Sequence, residues 1–158
     1  MSYKFGKSSI VQLSTLHPDL QTILRVAIKQ FDFSIIEGIR TKKRQQELFN
    51  SPKHLTELDG VTKKSKHQGE YFEGKLVSTA VDIIPYVQGL NVWEGRKGEK
   101  LFYYLAGTIM GVAEILYLQG AIRHKLKWGG NWDMDMDFYD SNFIDLPHFE
   151  LVTVHELV

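Results

Sequence analysis

The sequence predicts a single α+β domain, and three observations carry that expectation. The chain has 158 residues and 18.2 kDa, a length typical of one domain of about 100–200 residues. Hydrophobic residues make up 43% and charged residues 24%, so a sizeable core can be buried and neither disorder nor low complexity fits. Stretches with helical spacing and short stretches with strand-like patterning both occur, without a repeat or a linker, so residues 1–158 read as one unit.

The first helix is predicted to begin near Pro18, whose fixed φ suits a first helical turn, with Leu20, Ile23, Leu24, Ala27, Ile28 and Phe31 at helical spacing. Phe33-Ser34-Ile35-Ile36-Glu37 reads as a short strand ending at Gly38, and Thr41 as the cap of a polar helix running toward Phe49. Residues from about 51 to 79 hold Lys, Gly, Asp and Ser without a sustained period and read as surface loops, with a hairpin around Glu73-Gly74. Ala80-Val81-Asp82-Ile83-Ile84-Pro85 is an apolar strand carrying one charge. An apolar helix follows over about 99–119, which Gly120 can end. Alternating polarity returns over 122–128, and 148–154 alternates as a half-buried strand, which puts His148 and Glu150 on one face.

Composition excludes several function classes. Lys and Arg total 19 and so do Asp and Glu, giving zero net charge and no uniform basic field for nucleic acid. Lys42-Lys43-Arg44 is more simply an exposed helix start. There is no cysteine, so disulfides, thiolate metal sites and a Cys nucleophile are ruled out, and any metal falls to His and carboxylate. The N-terminus lacks the apolar stretch of a secretory signal, and no segment approaches the roughly 18 uninterrupted apolar residues of a membrane span. Cytoplasmic synthesis without autonomous export, and no membrane insertion, are the expectations.

An aspartate inside a strand as apolar as Val81-Asp82-Ile83-Ile84 is costly to bury unless it is paired with a cation or ligates a metal. His67 follows Ser65-Lys66, and His148 opens the last strand in Asp145-Leu146-Pro147-His148. Two histidines and one carboxylate form a catalytic zinc set with a position open for water. His17, His54, His124 and His155 lack a second-ligand spacing and read as surface or capping residues. Trp93, Trp128 and Trp132 could line a saccharide cleft, with core packing expected for at least two of them.

Over nearly the whole chain the sequence resembles the zinc D-Ala-D-Ala carboxypeptidase-like peptidases, and within them the L-alanyl-D-glutamate peptidase endolysins of tailed bacteriophages. The resemblance is carried by Phe5-Gly6-Lys7-Ser8, Leu13, Pro18, Leu20-Gln21, Glu37-Gly38-Ile39-Arg40-Thr41 with Gln45, Ser65-Lys66-His67, Ala80-Val81-Asp82, and Asp145 through Leu151. It implies a small antiparallel sheet packed with helices and a zinc site on that sheet. It also implies that His67, Asp82 and His148 ligate zinc, and that Asp145 takes a proton from the attacking water. Arg40 then steadies substrate and oxyanion, with Gln45 and Ser65 at the substrate.

The family pattern Ser-x-His-x-x-Gly-x-Ala-x-Asp is interrupted here, because residues 69–79 form an insertion between His67 and Asp82. Loop length by itself costs little if the ends stay close. The insertion is expected beside the active centre, where it could narrow the cleft, cover it, or contact substrate through Tyr71 and Phe72. Asn131-Trp132-Asp133-Met134-Asp135-Met136-Asp137, with Asp140 and Asn142 beyond, places oxygen ligands at alternate positions; Asp133, Asp135 and Asp137 are candidate calcium ligands, although an EF-hand's central glycine and terminal glutamate are missing. A solvated acidic loop is the plainer reading.

Three functions follow. The leading one is a zinc endopeptidase cutting the L-alanyl-D-glutamate bond of peptidoglycan in host lysis, acting as a monomer. It would stay in the host cytoplasm until a separate holin-type protein gives access to the wall, and it has no wall-binding domain of its own. The alternatives are a D-alanyl-D-alanine carboxypeptidase and a catalytically silent wall-binding or virion domain.

Overall fold

The computed structural model describes residues 2–53, 55–135, 137, 138 and 143–157; His54, Asp140 and Asn142 lie outside them. A four-stranded antiparallel sheet runs in the order β1-β4-β6-β5, made of β1 Phe33–Glu37, β4 Ala80–Pro85, β5 Lys125–Trp128 and β6 His148–Val152. β2 Glu70–Phe72 and β3 Lys75–Val77 pair as a separate hairpin. The α-helices of the described residues are α1 Lys7–Leu13, α2 Pro18–Ala27, α3 Lys42–Phe49 and α4 Gly95–Leu118. This is the α+β architecture expected.

Strand alternation gives the sheet two different faces. Phe33, Ile35, Val81, Ile83, Leu126, Trp128, Phe149 and Leu151 join Leu13, Leu20, Leu24, Leu105 and Ile109 of the helices in one buried core. Each fully buried side chain of this kind contributes roughly 1.5–3 kcal/mol by leaving water. The residues between them in sequence, including Asp82, His148 and Glu150, fall on the opposite face.

Helix α1 was absent from the expectation, because its seven residues carry no apolar stripe and only Ser9 and Leu13 are buried. Tertiary hydrogen bonds hold it to the end of β1: Ile35 N donates to Ser9 Oγ (3.1 Å), Gly38 N to Gln12 Oε1 (3.0 Å) and Ile39 N to Thr15 Oγ1 (3.0 Å). Gly38 lies so close to this helix that a Cβ would run into Thr15 Oγ1 and the Gln12 carbonyl.

Helix α4 starts one turn before the expected position and stops at Gly120, which has φ +70°. Gly120 N donates to the Tyr117 carbonyl and Ala121 N to the Leu116 carbonyl, both at 2.9 Å, so two otherwise orphaned acceptors are satisfied. Among the described residues α4 alone is long and apolar enough to cross a membrane, but its Phe102, Leu105, Ala106, Ile109 and Ala113 are spent in the core.

Strand β5 begins at Lys125 rather than near 122, since the amides of Arg123 and His124 turn to Asp19 Oδ2 (2.9 and 3.1 Å). Strand β6 ends at Val152 because Glu156 Oε2 captures Thr153 N at 2.6 Å and closes a 3-10 turn.

The insertion does not cover the sheet. Glu73 (φ 49°) and Gly74 (φ 79°) close a two-residue hairpin turn, the geometry that matches strand twist. The hairpin packs on the junction of α1 and α2: Lys75 Nζ donates to the Ser14 carbonyl (3.0 Å), and the Phe72 ring meets that of His17 edge-on at 4.7 Å. Its direction follows from the segment after it, where Ser78 N donates to the Thr15 carbonyl and His17 N to the Ser78 carbonyl, both at 2.8 Å.

Candidate metal centre

Asp82 and His148 are direct cross-strand partners in β4 and β6, so the two-residue period of the strands is sufficient to bring them together. His67 arrives separately, on a single 3-10 turn, Lys66–Gln68. Ser65 caps that turn by accepting from His67 N (3.2 Å), while Gln68 Oε1 accepts from Ser65 N (3.0 Å). This reciprocal cap fixes the His67 backbone.

The three donor atoms converge. His67 Nε2 is 3.2 Å from Asp82 Oδ1 and 3.3 Å from His148 Nδ1, and His148 Nδ1 is 3.0 Å from Asp82 Oδ1. For metal–ligand bonds of about 2.0–2.1 Å a tetrahedral edge is about 3.3 Å. The trio therefore has the dimensions of one face of a tetrahedral metal site, with the fourth position left to the cleft.

The outer nitrogens are also committed. His67 Nδ1 donates to the Gly38 carbonyl (2.8 Å) and His148 Nε2 to Glu150 Oε2 (3.1 Å), so a metal that displaces the protons shared with Asp82 would meet the inner nitrogens already turned to the centre. Glu150 stands two residues from His148 on the same strand face, and its role as orienting carboxylate was not assigned from sequence although the alternation showed its position.

Arg40 and Glu37 frame the carboxylate. A bulge in β1 between Ile35 and Glu37 sets Glu37, rather than Ile36, opposite Asp82. Arg40 Nη2 donates to Glu37 Oε2 (2.5 Å) and Asp82 Oδ2 (3.3 Å), and Nη1 to Gln45 Oε1 (2.8 Å). Oδ2 of Asp82 is thus held by the guanidinium while Oδ1 faces the imidazoles. Gln45 is fully buried behind Arg40 and also donates to the Leu58 carbonyl (2.7 Å), so it does not line the cleft.

Electrostatics follow this wiring. Burial works against ionised Asp82, but hydrogen bonds from His148 and His67 outweigh it and hold the carboxyl well below its usual range. Burial likewise disfavours His148 imidazolium, yet its bonds to Asp82 and Glu150 push it up to about 9. Asp145 is raised, chiefly by burial; His148 opposes that shift and Asp82 adds to it.

Asp145, Arg40, Ser65, His67, Asp82 and His148 all line one cleft of about 1340 Å³. Its apolar walls include Leu48, Phe49, Leu55, Trp132 and Phe143, and Trp132 lies over His148 with ring centroids 5.4 Å apart. Sequence reading placed a loop at 51–79 but missed that its first part walls the cleft, since apolar residues scattered in a loop carry no period. No residue of 69–79 lines it, which corrects the expectation of a lid or of substrate contacts from Tyr71 and Phe72.

The tryptophans also depart from expectation. Only Trp128 is in the core; Trp132 lines the cleft and Trp93 is 61% exposed. Asp133, Asp135 and Asp137 are exposed, and among the described residues they do not converge with a third ligand. Asp137 N donates to Asp135 Oδ1 (2.8 Å), as in an ordinary polar turn.

A second His-Asp-His group, His17, Asp19 and His124, was not anticipated because His124 is remote in sequence from the other two. Its groups serve packing: His17 Nδ1 accepts from Asp19 N (3.1 Å) as the cap of α2, and Asp19 Oδ2 accepts from His124 Nδ1 (2.7 Å).

Residues 1–152 match a family model described as Phage L-alanyl-D-glutamate peptidase. The chain is 32% identical over 161 residues to the L-alanyl-D-glutamate peptidase of Escherichia phage T5, which spans 96% of this chain and 100% of that protein. Among solved structures, the L-Ala D-Glu endopeptidase ChiX of Serratia marcescens matches with a TM-score of 0.65 at 23% identity, covering 98% of this chain and 95% of that one. At that identity the likeness speaks to the fold.

Proposed function

The chain belongs to the phage L-alanyl-D-glutamate peptidase family, and from that premise we propose that it is a zinc endopeptidase hydrolysing the L-alanyl-D-glutamate bond of peptidoglycan stem peptides in host lysis. The observation that carries the metal assignment is the His67, Asp82 and His148 trio, whose donors stand 3.2, 3.3 and 3.0 Å apart with their outer atoms already hydrogen-bonded. An all-nitrogen and oxygen set of this size suits zinc.

Zinc held by these residues would supply a Lewis acid for the scissile carbonyl and make water a competent nucleophile near neutral pH. Asp145 takes a proton from the attacking water and delivers it to the departing D-glutamyl nitrogen. Its burial makes it more basic than an ordinary carboxylate, which improves proton transfer near neutrality. Arg40 fixes Asp82 and sets permanent positive charge beside the carbonyl oxygen as negative charge develops there. Gln45 acts through Arg40 as a positioning residue, and Ser65 through the His67 turn.

The cleft's volume of about 1340 Å³ and its apolar walls suit a substrate longer than a terminal dipeptide, which supports an endopeptidase. On this reading the enzyme is a monomer that waits in the host cytoplasm for a separate membrane-permeabilising protein. Purified peptidoglycan digested by the enzyme should yield new N-terminal D-glutamate by mass spectrometry. Release of D-alanine alone, or of no peptide product, would overturn the assignment.

A further inference from the structure

A second depression, of about 460 Å³, adjoins the metal-centre cleft at Asp145, which lines both. Its walls include Val92, Trp93, Glu99, Phe102 and Leu146. Trp93 is the large exposed aromatic of the region at 61%, its ring leaning on the buried Phe102 with centroids 5.4 Å apart and planes at 47°. The shared wall is fixed from behind, since Trp128 Nε1 donates to the Leu146 carbonyl and Asp145 N to the Gly129 carbonyl, both at 2.8 Å. None of the lining residues is basic.

We propose that this depression is the subsite for the N-acetylmuramyl ring of the glycan strand, with Trp93 as its stacking platform and Glu99 as an acceptor for a sugar hydroxyl or acetamido N–H. The inference rests on the endopeptidase reading. In peptidoglycan the nitrogen of L-alanine is amide-linked to the lactyl group of the sugar, so the ring lies on the N-terminal side of the scissile bond, roughly 7 Å away, about two residue lengths. An enzyme cutting at that bond must place a sugar next to its catalytic groups. The ring is neutral there, its carboxyl being in the amide, so an aromatic face and carboxylate acceptors suit it better than a cation would.

The test compares two substrates that share one scissile bond: the stem peptide carrying its disaccharide, and the same peptide with an N-acetyl group in place of the sugar. The wild-type enzyme should favour the disaccharide substrate in kcat/KM by about tenfold, the size of one good aromatic stacking contact. Trp93→Ala should bring that preference close to unity, and Trp93→Phe should retain part of it. Because the readout is a ratio, any general loss of folding cancels. An unchanged ratio in Trp93→Ala, or no preference in the wild type, overturns the subsite while leaving the peptidase intact. Failure of the wild type on both substrates would instead remove the function on which it rests.

Discussion

Asp82 owes its charge to its neighbours: two imidazoles meet one oxygen and Arg40 holds the other. The same dependence extends outward to Glu150, whose bond to His148 Nε2 holds the ring with Nδ1 turned inward. Glu150→Ala should therefore weaken zinc binding about 10–100-fold, measured by competition with a chromophoric chelator; unaltered affinity would show that the carboxylate is dispensable. Gln45→Ala should cost about 1–3 kcal/mol in denaturant unfolding, because a buried guanidinium loses a partner and the Leu58 carbonyl loses its donor. Asp82 was legible in sequence as a residue in need of a partner, because an acid in an apolar strand is costly to bury, and the family resemblance named His67 and His148 beside it. Gln45 was not, since nothing in a polar helix reveals which residue turns inward.

At the scale of elements, α2 is anchored by Asp19, which accepts from the amides of Arg123 and His124 and from the His124 ring. Burial opposes the charge of Asp19, but these bonds prevail and lower its pKa below 3.8. A depressed carboxylate stabilises the fold above its unfolded pKa and loses that contribution as pH falls through its folded one. Asp19→Asn should thus lower Tm at pH 7 and make Tm less sensitive to acid below pH 3.8; parallel Tm profiles for the two proteins would contradict this. The β2–β3 hairpin offers the opposite case. Its turn was readable from Glu73-Gly74, but its direction was not, because that depends on backbone bonds from residues 15, 17 and 78. Tyr71→Ser, at a side chain 78% exposed and away from the cleft, should leave kcat/KM on peptidoglycan within about twofold, a ceiling set by RT. A large rise in KM would restore the lid.

In the whole molecule the helices and sheet bury one face of the strands and leave the other for chemistry, so core and site use alternate residues of the same elements. Part of that division was legible: the alternation over 148–154 put His148 and Glu150 on one face, whereas Asp82 was read only as a lone charge in an apolar strand. What sequence left open was how segments distant along the chain pack, namely α1 against β1, the cleft wall from 48–58, and Trp93 beside Asp145. The central claim is that one zinc ion on His67, Asp82 and His148 drives hydrolysis with Asp145 as base. The most direct test follows turnover on peptidoglycan as zinc is returned to chelator-stripped protein, with bound zinc measured in the same samples. The account predicts that turnover rises to a plateau at one equivalent in the wild type, that Asp145→Ala binds the equivalent while losing about 10²–10⁴-fold in rate, and that His148→Ala does neither. Full turnover in stripped protein, or an active Asp145→Ala enzyme, would contradict it.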